Sequence, residues 1–290
     1  MECCICFGRG DDPVLFFTII FMIVDEVKAI CSELNIVPHK SKGQSFLIND
    51  EVIDQIIDQA GVLSDDLVLE VGPGLGVLTE GLLKVAGEVV AVELDDKLVN
   101  YLQNKFVNNK KLRIIHQDVL NTDVNDIIPK NREYRVIANL PYNITSRFLR
   151  IFMALDRAPV DMVLMLQKEV AERIVTPPGK MSKLSVMMQF YGRPEILFMV
   201  DKTSFWPEPA VNSAIIRIEL KKDLPDINIK RFFELVNIGF SARRKQLKNN
   251  LAGGLKISND EAEAMLKKLN LNVKARAQDL TIEDWVKLAT

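Results

Sequence analysis

The sequence predicts an α/β fold: a mostly parallel sheet with an antiparallel end, followed by a small all-helical C-terminal domain. Three observations carry this expectation. Between residues 67 and 166, apolar segments of strand length alternate with amphipathic segments of helical spacing, the pattern of parallel strands joined by crossover helices. The next two apolar segments, 196–200 and 214–220, have no helix of ordinary length between them, so the sheet should end in an antiparallel pair. Beyond Pro225 the spacing is helical throughout. A chain of 290 residues is long enough for such a core and a second small domain.

The elements follow in order. Val24, Val27, Ile30, Cys31 and Leu34 share one helical face, and Pro38 ends that segment. A basic turn comes next, His39-Lys40-Ser41-Lys42-Gly43. Asn49 or Asp50 can cap the following helix, whose apolar face is Val52, Ile53, Ile56, Ile57 and Ala60. Strands are predicted at 67–71, 88–93, 112–115, 135–138 and 162–166, with helices at 77–85 and 96–106. Lys221-Lys222-Asp223-Leu224-Pro225-Asp226 reads as a linker. Helices are predicted at 229–240, 243–251, 260–269 and 282–288. The implied division is an N-terminal extension and helix at 1–37, an α/β domain at 38–222 and a helical domain at 223–290.

Composition narrows the class. With 48% hydrophobic and 26% charged residues, the chain is an ordinary globular one. Its net charge of −2 does not mark a nucleic-acid binder, but the charge is uneven. Residues 221–290 hold 14 Lys and Arg against 9 Asp and Glu, and the first 220 residues hold 23 against 30. A basic tail on an acidic body suggests a polyanion partner for the tail; the plainer alternative is a solvated helical face. The four cysteines are Cys3, Cys4, Cys6 and Cys31, a distribution that staples no secreted domain and fits a cytoplasmic protein. Cys3 to Cys6 lacks a second ligand pair, so no metal centre is expected. The apolar run at 14–24 is shorter than the ~20 residues a spanning helix needs, and acidic Asp11 and Asp12 before it make a poor signal peptide. It reads either as upstream translation of a chain starting at Met22 or as a buried or partner-facing segment.

Glu70-Val71-Gly72-Pro73-Gly74-Leu75-Gly76 joins a strand to a helix. Glycines at Gly72 and Gly74 let the backbone bend and a ligand come close. The spacing G-x-G-x-G misses the dinucleotide fingerprint, and Glu70 would repel a pyrophosphate. It suits instead the cationic sulfonium and ammonium of S-adenosylmethionine; the alternative is a merely packed connection. Glu93 ends the second strand about 20 residues on, where a carboxylate grips ribose hydroxyls. Asp118 follows the third strand, where it can accept from an adenine amine. Ligands collect at such strand ends in open α/β sheets.

Asn139-Leu140-Pro141-Tyr142 follows the fourth strand. An exocyclic adenine amine is a poor nucleophile, because its lone pair is delocalised into the ring. The Asn139 side-chain oxygen and the Pro141 carbonyl are two acceptors that can hold its hydrogens and recover that lone pair. Tyr142 offers a face on which an extruded base stacks. The other reading is a Pro-containing turn with a buried Tyr. In Ser204-Phe205-Trp206-Pro207, either Phe205 or Trp206 can cover the second face of the base, or both simply pack on the sheet. With only two histidines, His39 and His116, the chain fits chemistry that needs positioning rather than a strong base.

These residues resemble the ribosomal RNA adenine dimethyltransferases of the KsgA/RsmA type. Matching pieces are Lys42 to Leu47, Glu70 to Gly74, Val92 to Asp95, Gln117-Asp118, Asn139 to Asn143, Leu166 to Arg173, Asn212 to Ala214 and Phe240 to Lys245. The resemblance implies a Rossmann-like class I methyltransferase sheet that uses S-adenosylmethionine. It implies dimethylation of the N6 amines of two adjacent adenosines in a hairpin near the 3′ end of small-subunit (16S) RNA. The implied substrate is a small-subunit precursor, and the implied enzyme is a cytoplasmic monomer without a membrane partner. Cofactor contacts would fall on Ser45, Leu47, Gly72, Glu93, Asp118 and Asn139, and RNA contacts on Arg243, Arg244, Lys245 and Lys248.

Three departures from the family pattern stand out: Ser45 where Asn or His is usual, Ala210 and Asn212 where Lys and Asp are frequent, and Lys248 where Arg is frequent. The first 21 residues are expected to have no counterpart. Rival readings are the large-subunit enzymes of macrolide resistance, which more often carry Ile at position 140, and DNA adenine or protein glutamine methyltransferases, which carry Pro there. A third rival, a non-catalytic assembly factor, is opposed by the intact Glu93, Asp118 and Asn139 to Tyr142.

Overall fold

The computed structural model describes residues 24–38 and 45–290. The N-terminal cysteines, most of the early apolar run and the basic turn with Gln44 lie outside the described residues.

Residues 24–33 form helix α1. Strand β1 (Phe46–Leu47) and helix α2 (Asp50–Ala60) follow. Asn49 is the cap of α2, its side chain accepting from Glu51 N and Val52 N at 3.0 and 3.3 Å. The alternation then runs β2 (Leu67–Val71), α3 (Val77–Val85), β3 (Glu88–Glu93), α4 (Asp96–Lys105), β4 (Leu112–His116), α5 (Val124–Ile127), β5 (Arg135–Asn139), α6 (Thr145–Phe152) and β6 (Asp161–Gln167). Helices α7 (Lys168–Ile174) and α8 (Lys183–Tyr191) lead to β7 (Gly192–Val200), the short β8 (Phe205–Trp206) and β9 (Ser213–Leu220). Four helices end the chain: α9 (Ile229–Gly239), α10 (Leu247–Leu255), α11 (Asn259–Lys268) and α12 (Ile282–Ala289).

The main sheet has the order β4-β3-β2-β5-β6-β9-β7, parallel as far as β6 and antiparallel beyond it, as predicted. The chain winds outward from β2 in one direction and from β5 in the other, so these neighbours form the topological switch point. Their parallel strands are buried on both faces, which is why they read as continuous apolar runs. Val68, Val89, Ile137 and Val163 pack against α2 and α3. Leu69, Val90, Val136 and Met162 face the opposite layer, whose core continues into the C-terminal helices. There Phe190 of α8 meets Phe232 of α9 with ring centroids 4.3 Å apart.

One predicted element is corrected. The helix expected at 243–251 begins only at Leu247, and residues 241–246 form a turn. The buried Asn250 side chain donates to the carbonyls of Gly239 and Ala242, which holds the chain out of helical continuation there.

At the far end of the sheet, Arg135 opens β5 as a clamp. It donates to both Asp161 carboxylate oxygens at 2.7 and 2.6 Å, to Asp66 at 3.0 Å and to the carbonyls of Ala60 and Gly61. Its side chain is 13% exposed, and removing it strips Asp161, 10% exposed, of both short bonds and leaves it only Arg217 Nε at 3.8 Å. Arg135→Ala is expected to cost roughly 3 kcal/mol of stability, read by chemical denaturation; a loss under about 1 kcal/mol would make the cluster an ordinary surface pair.

Candidate active site

The carboxyl ends of β2 and β5 open onto one cavity, the place where ligands bind in open α/β sheets. Ser45, Leu47, Glu70, Gly72, Gly74, Glu93, Asn139, Leu140, Pro141, Tyr142 and Phe205 all line it. The structure therefore brings together every predicted catalytic residue and every predicted cofactor residue except Asp118.

Positive backbone φ at Gly72 (66°) and Gly74 (59°) makes the turn after β2 possible. A Cβ at Gly74 would reach the Phe46 ring at 3.4 Å, an ordinary contact, so it is the backbone conformation that calls for glycine there. Phe46 itself lines the cavity and was not singled out in the sequence. Its two-residue strand pairs with β8, Leu47 opposite Phe205 and Phe46 opposite Trp206. That pairing carries the segment from Ser45 to Leu47 to the cavity wall. It also separates the two aromatic candidates: Phe205 is buried in the cavity wall, whereas Trp206 packs with Val27, Cys31 and Leu98 beneath α1.

Glu70 is 1% exposed, and neither carboxylate oxygen has a hydrogen-bond partner. Burial pushes its carboxyl up to about 8, with nearby Thr79 lowering it and the Glu93 charge raising it further. The Thr79 hydroxyl, itself buried and without another partner, is the neighbouring polar group, and among the described residues no basic side chain offsets the acid. The Glu93 carboxylate is raised by burial too, although it accepts from Leu94 N at 2.8 Å, Asp95 N at 3.0 Å and Gly74 N at 3.2 Å. A carboxylate offers about four acceptor sites. Oε1 already holds two donors and Oε2 one, so a ribose diol would find one open site on Oε2 and compete with the Gly74 N–H there for a second.

Two expectations meet competing bonds. The Pro141 carbonyl accepts from Ile144 N at 3.1 Å and Thr145 Oγ1 at 3.3 Å, which starts α6 and occupies both lone pairs. Among the described residues, no backbone N–H reaches the Leu140 carbonyl one residue earlier. Asp118 caps the turn at Val119–Asn121, accepting from Leu120 N at 2.9 Å and Asn121 Nδ2 at 2.8 Å, and stands outside the cavity lining.

The basic candidates divide. Arg243, Arg244 and Lys245 are exposed on the turn before α10. Lys248 is half-buried and bonded to Glu263 at 2.6 Å; this pair and Lys267 draw the Glu263 carboxyl down to about 2. Lys248 thus ties α10 to α11. Among the described residues there is no cluster able to hold a metal ion. No helix among them is long and apolar enough to cross a membrane.

A switch-point cavity with an uncompensated acid on one wall and aromatic faces on another fits the class that the comparisons show: a methyltransferase with S-adenosylmethionine as donor. The partnerless Glu70 is the fit test, since the donor's sulfonium and ammonium are the charges it lacks. Residues 37–290 match the family described as Ribosomal RNA adenine dimethylase. A Ribosomal RNA small subunit methyltransferase A of Dehalococcoides mccartyi (strain BAV1) is 40% identical over 281 residues, covering 96% of this chain and 97% of that protein. A dimethyladenosine transferase from Plasmodium falciparum superposes with a TM-score of 0.72 at 26% identity, over 83% of this chain and 94% of that one. The 23S rRNA methyltransferase ErmE does so at 0.68 and 25%, over 84% and 97%. The chain belongs to the ribosomal RNA adenine dimethylase family, and its reaction is dimethylation of adenine in ribosomal RNA. The family match begins at residue 37, but an alignment over 96% of the chain leaves part of the first 21 residues matched, which corrects the expectation that they have no counterpart.

The Glu70 shift has a sign. Its folded carboxyl titrates near 8 against 4.5 unfolded, so between those values the unfolded state binds fewer protons and stability falls as pH rises. Cofactor-free protein should therefore lose thermal stability from pH 5 to 8, and Glu70→Gln should flatten that decline. A parallel decline in the variant would place the titration elsewhere.

Proposed function

We propose that this enzyme dimethylates the N6 amines of two adjacent adenosines in a hairpin near the 3′ end of small-subunit (16S) rRNA, within a partly assembled subunit in the cytoplasm. The observation that carries the site reading is the meeting of Glu70 and the Asn139–Tyr142 segment in one cavity. The small-subunit reading is supported by the D. mccartyi relative of that name, at 40% identity against 25% for ErmE.

S-adenosylmethionine, when bound, supplies an electrophilic methyl on a cationic sulfur. Glu70 would meet its positive charge, Gly72 and Gly74 would admit its backbone-hugging portion, and Glu93 would hold its ribose. Ser45 and Leu47 would close the wall beside it, and Asp118 would reach its adenine from the cavity rim. On the substrate side, Tyr142 and Phe205 would sandwich the extruded base. The Asn139 side-chain oxygen and the Leu140 carbonyl would accept the two amine hydrogens, since the Pro141 carbonyl is already occupied. Two acceptors favour a pyramidal nitrogen with its lone pair directed across the cavity. Positioning supplies most of the rate, and the displaced proton passes to solvent.

In this reading residues 38–222 form the catalytic part and 223–290 the RNA-facing part. Arg243, Arg244 and Lys245 face phosphate, while Lys248 stays with Glu263.

Two measurements test this. Asn139→Ala should abolish methyl transfer to unmethylated small subunits while calorimetry still finds cofactor binding; equal activity in variant and parent would remove the amine-gripping role. Replacing Arg243, Arg244 and Lys245 with Ala should flatten the salt dependence of RNA binding by about 0.9 in log–log slope per lost phosphate contact. An unchanged slope would take the turn out of the interface.

A further inference from the structure

Ser213 lies at the start of β9, 0% exposed, opposite Gln167 of β6 and Val200 of β7. Its hydroxyl is 2.8 Å from the Tyr142 hydroxyl. The segment around it is held on both sides. The Asn212 carbonyl accepts from Lys168 N at 3.0 Å, and the Asn212 side chain accepts from Lys202 N at 3.1 Å. Ser213 is therefore a fixed point on the sheet, and it does not line the cavity.

Tyr142 is different. It leaves β5 in an irregular segment before α6, half-buried, with its ring on the cavity wall. Its hydroxyl is the only polar handle at the far end of that ring. Burial raises the phenol above its ordinary value, so it stays neutral and hydrogen-bonding. The backbone fixes one end of the ring, and Ser213 fixes the other.

We propose that Ser213 is a positioning residue that holds the Tyr142 ring at the depth required for the second methyl transfer to each adenine. The proposal rests on the stacking role given to Tyr142 above. The two transfers differ in what grips the nitrogen. In the first, the amine offers two hydrogens to two acceptors. After one methyl has been added, the nitrogen lone pair having displaced the donor's thioether and one proton having left, a single N–H remains. One acceptor contact is lost, and the added methyl takes up room. Orientation of the monomethylated base then depends more on the stacking faces. Phe205 is buried and held by the β1–β8 pair, so the face able to shift is Tyr142, restrained by Ser213.

The test is the ratio of N6-methyladenosine to N6,N6-dimethyladenosine formed on unmethylated small subunits, followed in time by mass spectrometry of nucleoside digests. Ser213→Ala should slow the second transfer about tenfold, the scale of one hydrogen bond, and the first far less. Monomethyl product should then accumulate. Tyr142→Phe keeps the ring, removes the same bond and avoids a change in the sheet, so it should give the same ratio even if Ser213→Ala folds poorly. The double variant should be no worse than either single one. Equal slowing of both transfers, or a parental product ratio in Tyr142→Phe, would overturn the proposal. A parent enzyme that forms no methyladenosine on this substrate would instead sink the function proposed above.

Discussion

The clamp at Arg135 lies at one end of the sheet and the cavity at the other, and the second depends on the first. Arg135 opens β5 and bonds Asp66, just before β2, and Asp161, which opens β6. Three adjacent strands are thereby started level. β2 and β5 then run in parallel, Val68 beside Arg135 and Glu70 beside Ile137. Each rises about 3.3 Å per residue, so they end side by side, and the glycine turn and Asn139 emerge as neighbours. A slip of one residue would turn every side chain to the other face. Glu70 and Asn139 would then turn to the opposite face, away from the cavity. A structural ion cluster with no chemistry of its own thus sets the geometry in which the chemistry happens.

The cavity wall so formed is energetically lopsided. Glu70 has no partner, and Glu93 has three backbone donors yet is still raised by burial. Two acids so close together and so poorly solvated oppose folding of the empty protein. Folding tolerates them because the buried residues of the two strands are otherwise all apolar. A cationic ligand held at Glu70, as proposed, would offset that residue's share of the cost, so recognition and the instability of the empty site would meet in one carboxylate.

The parallel sheet, its antiparallel end and most element boundaries were legible because apolar runs and glycine or proline punctuation are local signals. The glycine turn, Glu93 and Asn139–Tyr142 were legible for the same reason: each sits at a strand end, and strand ends are visible in the sequence. What could not be read came from pairing at long range. β8 is two residues long, and it brings Phe46 to the cavity and chooses Phe205 over Trp206 only through its pairing with β1. The bond from Tyr142 to Ser213 spans 71 positions in sequence. The turn at 241–246 looked helical because its break is imposed by Asn250 from the next helix. Lys248 looked like its basic neighbours, and only its pairing with Glu263 across two helices removes it from the exposed set.

The occupied carbonyl of Pro141 bears on how such enzymes differ from one another. Position 140 is where the rival classes were expected to differ, with Leu in this chain and Ile or Pro in the rivals. Yet the Leu140 side chain is buried in the core at 1% exposure, so what it offers the cavity is its backbone. A backbone carbonyl is the same whatever the side chain. Exchange among Leu, Ile and Pro therefore changes packing behind the site and leaves the acceptor in place. If the turn from Arg243 to Lys245 meets RNA as proposed, its three exposed cations, and not the side chain at position 140, are where a preference for one RNA would be expressed.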